Sequence, residues 1–282
     1  LIALLSGPVG KLSDRIGRWP LAILGIITMM LATSGCLLLA PPSRLYFVSY
    51  WLTGVATGMY YPPIIAMLST DGSKRGQLRG ISRPLIIFCF AWNGGLITGT
   101  GVAGYLFALG KGWPIGVALA GSGVNLLILL GILLRPKRPM VAAAVVEVDP
   151  DAVRHQELSA FFSRMAWTAN LSGTFSMSMI FHLLPRLMVD LGIPAGEHGG
   201  LIMSCRICVL VTYTLLYCST FWHYRFYVPT ATQLLAIAGL LIVVVAQTTW
   251  QLGIGLVGMG VLVGYNYFAS LYYSTAGGTT KQ

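Results

Sequence analysis

The chain has 282 residues, of which 56% are hydrophobic and 9% charged, with a mean hydropathy of +0.76 and a net charge of +10. Soluble domains carry about 25% charged residues, so an ordinary water-soluble fold is excluded. The apolar runs continue for 20 or more residues, which suits helices crossing about 30 Å of hydrocarbon at about 1.5 Å per residue and not barrel strands of about 10 alternating residues.

In chain order, Leu1 to Leu5 are apolar, with no initiator methionine and no basic leader. They read as the cytoplasmic end of a helix begun upstream, not as a signal peptide. Eight complete spans follow, expected at 21–40, 45–69, 84–109, 115–134, 164–191, 199–221, 228–247 and 252–274. All connections are short except 135–163, which is rich in Pro, Ala and charge. It is taken as the linker between an N-terminal bundle, 1–134, and a C-terminal bundle, 164–282. The fold class is all-α membrane protein.

Basic residues fall on alternate connections. Lys11, Arg15 and Arg18 share a side with Lys74, Arg75, Arg79 and Arg83, with Arg135, Lys137, Arg138, Arg154 and Arg164, and with Arg225 and Lys281; the other side holds Arg44, Lys111 and Arg186. Cytoplasmic loops carry the excess of Lys and Arg, so the first set is expected in the cytoplasm of a plasma (inner) membrane. Those loops then meet anionic lipid headgroups, and no nucleic acid is needed to explain the charge. Five cysteines, Cys36, Cys89, Cys205, Cys208 and Cys218, lie in apolar runs; an odd number so placed argues against a disulfide framework. No metal or cofactor is expected, including at Cys205 and Cys208.

Between the partial helix and the first complete span the chain reads Gly10-Lys11-Leu12-Ser13-Asp14-Arg15-Ile16-Gly17-Arg18-Trp19. This resembles the G-x-L-x-D-R-x-G-R-[RK] signature that major facilitator transporters carry between their second and third helices; Trp19 departs from the usual basic residue. Gly10 is expected to allow close helix approach and Gly17 a tight turn. Asp14 is expected to meet an arginine or a positive helix end. The resemblance implies a fold of two six-helix bundles, truncated here at both ends to approximately helices 2–10. It also implies that Gly10, Asp14, Arg15, Gly17 and Arg18 form a gating contact that breaks when the bundles rock. The corresponding loop of the second half, Trp222-His223-Tyr224-Arg225-Phe226-Tyr227, keeps a basic residue but no Asp or Gly.

Ionisable groups at membrane depth are functional candidates. No span interior contains Asp or Glu. Arg206 stands about 10 Å into its span, and His182 about 12 Å from the outer end of the preceding one, at about 1.5 Å per residue; the two are expected to lie at similar depth and able to face one another. A titrating histidine there can carry protons, although a packing role suits it equally. Arg186 and Asp190 are expected to pair at i,i+4. The resemblance places helices 1, 4, 7 and 10 around the cavity, which nominates Tyr60, Tyr61, Asn170, Tyr265, Asn266 and Tyr267; Trp92 and Asn93 join them from helix 5. Each can instead be a hydrogen bond between helices. Pro62-Pro63 predicts a kink. The glycines Gly54 and Gly58, Gly95 and Gly99, and Gly253 to Gly264 predict tight packing faces. The Gly94–Gly101 run resembles the glycine-rich motif of drug–proton antiporters without its proline.

The function expected is secondary transport of a small solute by alternating access, with no catalytic residues. An organic anion suits Arg206, and proton coupling would need His182 or a carboxylate outside this sequence. The whole protein is expected to be a monomer. The alternatives are a non-transporting sensor or scaffold of the same fold and a multidrug-type efflux carrier. With no zinc signature, serine elbow or paired carboxylates, an enzyme is not expected.

Overall fold

The computed structural model describes residues 2–39, 43–72, 77–78, 81–134 and 156–276. The basic residues of 73–76, 79–80 and 135–155, and Lys281, lie outside them. Nine described helices follow in order: α1 (Ile2–Ile16), α2 (Arg18–Leu38), α3 (Arg44–Gly72), α4 (Arg83–Leu109), α5 (Trp113–Leu133), α6 (Gln156–Asp190), α7 (Ala195–Cys218), α8 (Tyr227–Val245) and α9 (Thr249–Ala276). Ahead of α4, Gln77–Leu78 and Ile81–Ser82 form a two-residue antiparallel bridge. A helix forms at every expected span. α3 continues through Pro62 and Pro63, so the prolines do not end it.

Six of these helices, α2, α4, α5, α7, α8 and α9, are long and apolar enough to cross a membrane. α3 and α6 are long enough but more polar. The first carries tyrosines, serines and threonines along its length, the second Arg164, His182, Arg186 and Asn170. Helices of this composition need a polar face sheltered from lipid.

Contacts group the chain into two units, Leu1–Arg75 with Leu106–Ala144, and Gly76–Tyr105 with Val145–Gln282. In the first unit α2 packs along α3 around Ala22, Ile26 and Leu129, flanked by Trp19, Met30 and Tyr60. Gly25 makes this possible: a Cβ there would meet the Tyr60 backbone nitrogen at 2.9 Å.

In the second unit α9 is the hub, packed on α6, α7 and α8. Some 67% of its most apolar stretch is buried, against 6% for α5. Glycine faces bring the partners in. A Cβ on Gly255 would stand 2.7 Å from the Gly239 carbonyl of α8, and one on Gly260 2.6 Å from the Cys205 carbonyl of α7. In lipid, where no hydrophobic force separates helix from solvent, such close approach gains dispersion contact. The expected glycine packing of residues 253–264 therefore holds. At Gly95 and Gly99 no atom of the described residues lies within 4 Å of a built Cβ, so no tight contact is seen there. The first part of α4 joins this unit: the Thr100 carbonyl would lie 2.6 Å from a Cβ on Gly199.

Candidate functional site

The α1–α2 loop is built by one residue. Gly17 has φ +96° and ψ 149°, a combination essentially restricted to glycine, and its N–H donates to the Ser13 carbonyl at 3.0 Å. The turn sets Arg18 at the start of α2. Its guanidinium reaches back to Asp14 at 3.9 Å and donates to the Ala66 carbonyl of α3 at 2.9 Å. Ser13, 2% exposed, donates to the Gly10 carbonyl at 2.8 Å. Three helix segments are thus tied by one arginine. Asp14 is 68% exposed on its side chain and Arg18 31%, so the ion pair itself is a weak, water-facing contact. Arg15 is exposed at the end of α1. Among the described residues nothing lies within 4 Å of a Cβ built on Gly10.

The second unit closes its corresponding loop with rings. Trp222, 1% exposed, donates its indole N–H to the carbonyls of Leu216 and Ser219 at 2.8 and 2.9 Å. Tyr272 and Tyr273 of α9 lie against it, with ring centroids 4.9 and 5.9 Å away. The Tyr272 hydroxyl and His223 Nδ1 are hydrogen-bonded at 3.1 Å, and the Tyr224 N–H donates to the Tyr273 hydroxyl at 3.0 Å. Phe162 of α6 completes the cluster, 5.3 Å from Tyr273 and 4.8 Å from Phe226. The sequence reading treats this loop as a decayed copy of the first. The signal for the cluster was the density of aromatics at 222–227 and 272–273.

The polar candidates inside the helices separate into bonded and open ones. The Tyr60 hydroxyl accepts from the Asn125 amide of α5 at 3.2 Å. Asn266, 1% exposed, donates to the Ala169 carbonyl of α6 at 2.9 Å and accepts from Gln233 of α8 at 3.4 Å. It therefore clasps three helices. Asn125, the partner of Tyr60, and Gln233, a partner of Asn266, were not singled out from sequence. Asn93 is 3% exposed and donates to the Cys89 carbonyl of its own helix at 3.0 Å. Asn170 is half-buried on α6. His182 is exposed, its Nδ1 2.7 Å from the Ser178 carbonyl.

Arg206 stands over the Phe181 ring of α6, 5.1 Å from its centroid, and its buried Nε has no hydrogen-bond partner. His182 and Arg206 do not bond each other, so the expected facing pair is replaced by Arg206 on Phe181. Arg206 is also further from the start of its helix than the sequence estimate, because α7 begins at Ala195 and not at 199. Arg186 and Asp190 are both exposed and form no ion pair within 4.0 Å. The reason is physical: the acid lies C-terminal to the base, the poorer order for an i,i+4 pair, at a helix end whose dipole repels it.

A signature loop held by Asp14, Gly17 and Arg18 ahead of a series of apolar helices is a family-level observation, and the Major Facilitator Superfamily model matches residues 1–280. The chain belongs to this superfamily. It is an integral membrane protein, as its six apolar helices also require. Among curated relatives, Multidrug resistance protein MdtL of Escherichia fergusonii is 26% identical over 259 residues, covering 91% of this chain and 64% of that protein. The protein of that name from Klebsiella pneumoniae is 24% identical over 260 residues, with the same coverage. The one from Escherichia coli K12 is 26% identical over 259 residues. The chain thus spans just under two thirds of the length of the curated relatives it matches.

Proposed function

We propose that this superfamily member is a secondary transporter that moves a small solute across the membrane by alternating access, its residues corresponding to helices 2–10 of the family's twelve. The observation that carries the reading is the Arg18 clasp, in which one guanidinium ties α1, α2 and α3 through Asp14 and the Ala66 carbonyl. A contact that is exposed, polar and weak can open and close within a transport cycle, as a gate requires.

The two helices too polar to lie freely in lipid, α3 and α6, correspond to the family's helices 4 and 7, which wall the cavity. The same reading proposes two bundles divided at 135–163 and an inner-membrane location with the basic loops in the cytoplasm. It further proposes a monomeric whole protein, with Tyr60, Asn93, Asn170, His182 and Asn266 on or behind the solute path. The name of the relatives, Multidrug resistance protein, favours efflux of drug-like compounds as the second reading.

The test is counterflow with the whole protein in proteoliposomes, using a panel of organic anions beside a cationic dye such as ethidium. Saturable exchange that Arg18→Ala slows supports a carrier, and the compound exchanged separates the two transport readings. Binding without exchange of any compound would refute transport and leave a sensor or scaffold.

A further inference from the structure

We propose that Arg206 is the anion-recognition residue of the solute site, selecting small organic anions that join a carboxylate, phosphate or sulfonate to an apolar or aromatic body. This rests on the transport reading above and adds to it the class of solute.

Depth comes first. α7 spans Ala195–Cys218, and Arg206 sits at its middle, about 17 Å from either end at about 1.5 Å per residue. An arginine near a helix end turns its head group to the interface; from mid-span that escape is too long. A charge held at this depth is costly unless it faces a partner or a water-filled path.

None of the described residues supplies that partner. Among the described residues no carboxylate pairs with Arg206, and its Nε, shielded from solvent, donates to nothing. Residues one turn away on the same side are Ile202, Met203, Val209 and Leu210. An arginine kept only for packing would spend its five donors on carbonyls. Arg206 instead has an aromatic face, Phe181, under its guanidinium at 5.1 Å, which orients the plane without occupying its N–H edge. The residue as a whole is only partly buried, and access to that edge is part of the proposal. A planar fork beside an aromatic floor suits an oxyanion attached to a flat apolar body, with two parallel N–H···O bonds to the anion. The fixed positive charge repels an organic cation.

The experiment measures binding to the whole protein in detergent, by ligand-dependent thermal stabilisation. The probes are benzoate, phenyl phosphate and benzenesulfonate, with benzamide and benzylamine as neutral and cationic counterparts of similar shape. At least one anion should bind more tightly than both counterparts. Arg206→Gln, whose unliganded melting temperature reports folding, should weaken that anion about tenfold or more, the scale of a charge-assisted bond pair. Arg206→Lys should keep part of the preference, and Phe181→Leu should reduce it less than Arg206→Gln.

Equal binding of charged and uncharged probes, or anion binding that survives Arg206→Gln, overturns the assignment. Failure of transport is read separately: anion binding that depends on Arg206 but gives no counterflow would sink the transport reading and leave the anion site standing. Counterflow of neutral compounds insensitive to Arg206→Gln would do the reverse.

Discussion

Two loops in corresponding places of the helix order are closed in opposite ways. The loop at residues 10–19 is closed by an arginine that bonds an exposed carboxylate and the Ala66 carbonyl. The loop at residues 219–226 is closed by a buried indole, two buried tyrosines and a buried phenylalanine, with hydrogen bonds to Leu216, Ser219, His223 and Tyr224 inside the cluster. In the first the ion pair gains little free energy and is readily undone, because Asp14 keeps most of its hydration. The second buries large rings and satisfies their polar handles, so it is stable and hard to open. The difference teaches that a loop can lose the family's polar signature and still pin its helices, but that it then pins them permanently.

The comparison can be broken most severely at Trp222. Trp222→Ala removes the centre of the ring cluster and should cost about 3–5 kcal/mol, the usual range for deleting a buried aromatic. It should lower the thermal midpoint and speed maleimide labelling of the exposed Cys218 at the end of α7. A midpoint within a degree of the parent would mean that the cluster does not hold the loop.

Gly17→Ala tests the polar side through its backbone. A φ of +96° with extended ψ admits a side chain only with strain, so about 2 kcal/mol should be lost. The Arg18–Ala66 bond should loosen with it, seen as faster amide exchange at the start of α2. Smaller still is Tyr273→Phe, which leaves the Tyr224 N–H without its acceptor. About 1.5 kcal/mol is expected, with faster exchange of that one amide and little change elsewhere.

Asp14→Asn should have the least effect on stability, under about 0.5 kcal/mol, because the pair is exposed. Its effect should appear instead in counterflow rate. An unfolding shift as large as that of Trp222→Ala would erase the distinction between a reversible clasp and a fixed lock.

Much of the first unit's site was legible. Gly17 and Arg18 are read from spacing because a turn glycine and its flanking charges act within four residues of one another. The second unit's lock was not, since Trp222, Phe162 and Tyr272 come from segments separated by about 50 residues or more and no local period links them. Asn266 was nominated as a cavity residue from its helix number, whereas its direction toward Ala169 and Gln233 depends on helix rotation, which composition does not encode.

What the sequence by itself determined is the class of protein, the order of its described helices and the loop that marks the family, since hydrocarbon thickness sets span length and the signature is local. It also located the lone charge of α7. Only the tertiary structure decided which groups that charge meets, that α4 joins the C-terminal helices at Thr100, and that Arg186 and Asp190 stay apart. These outcomes turn on angles and depths of packed helices a few ångströms apart. In lipid those are chosen by close fit, glycine against backbone, and not by the apolar pattern, which is the same on every side of a helix that no water touches.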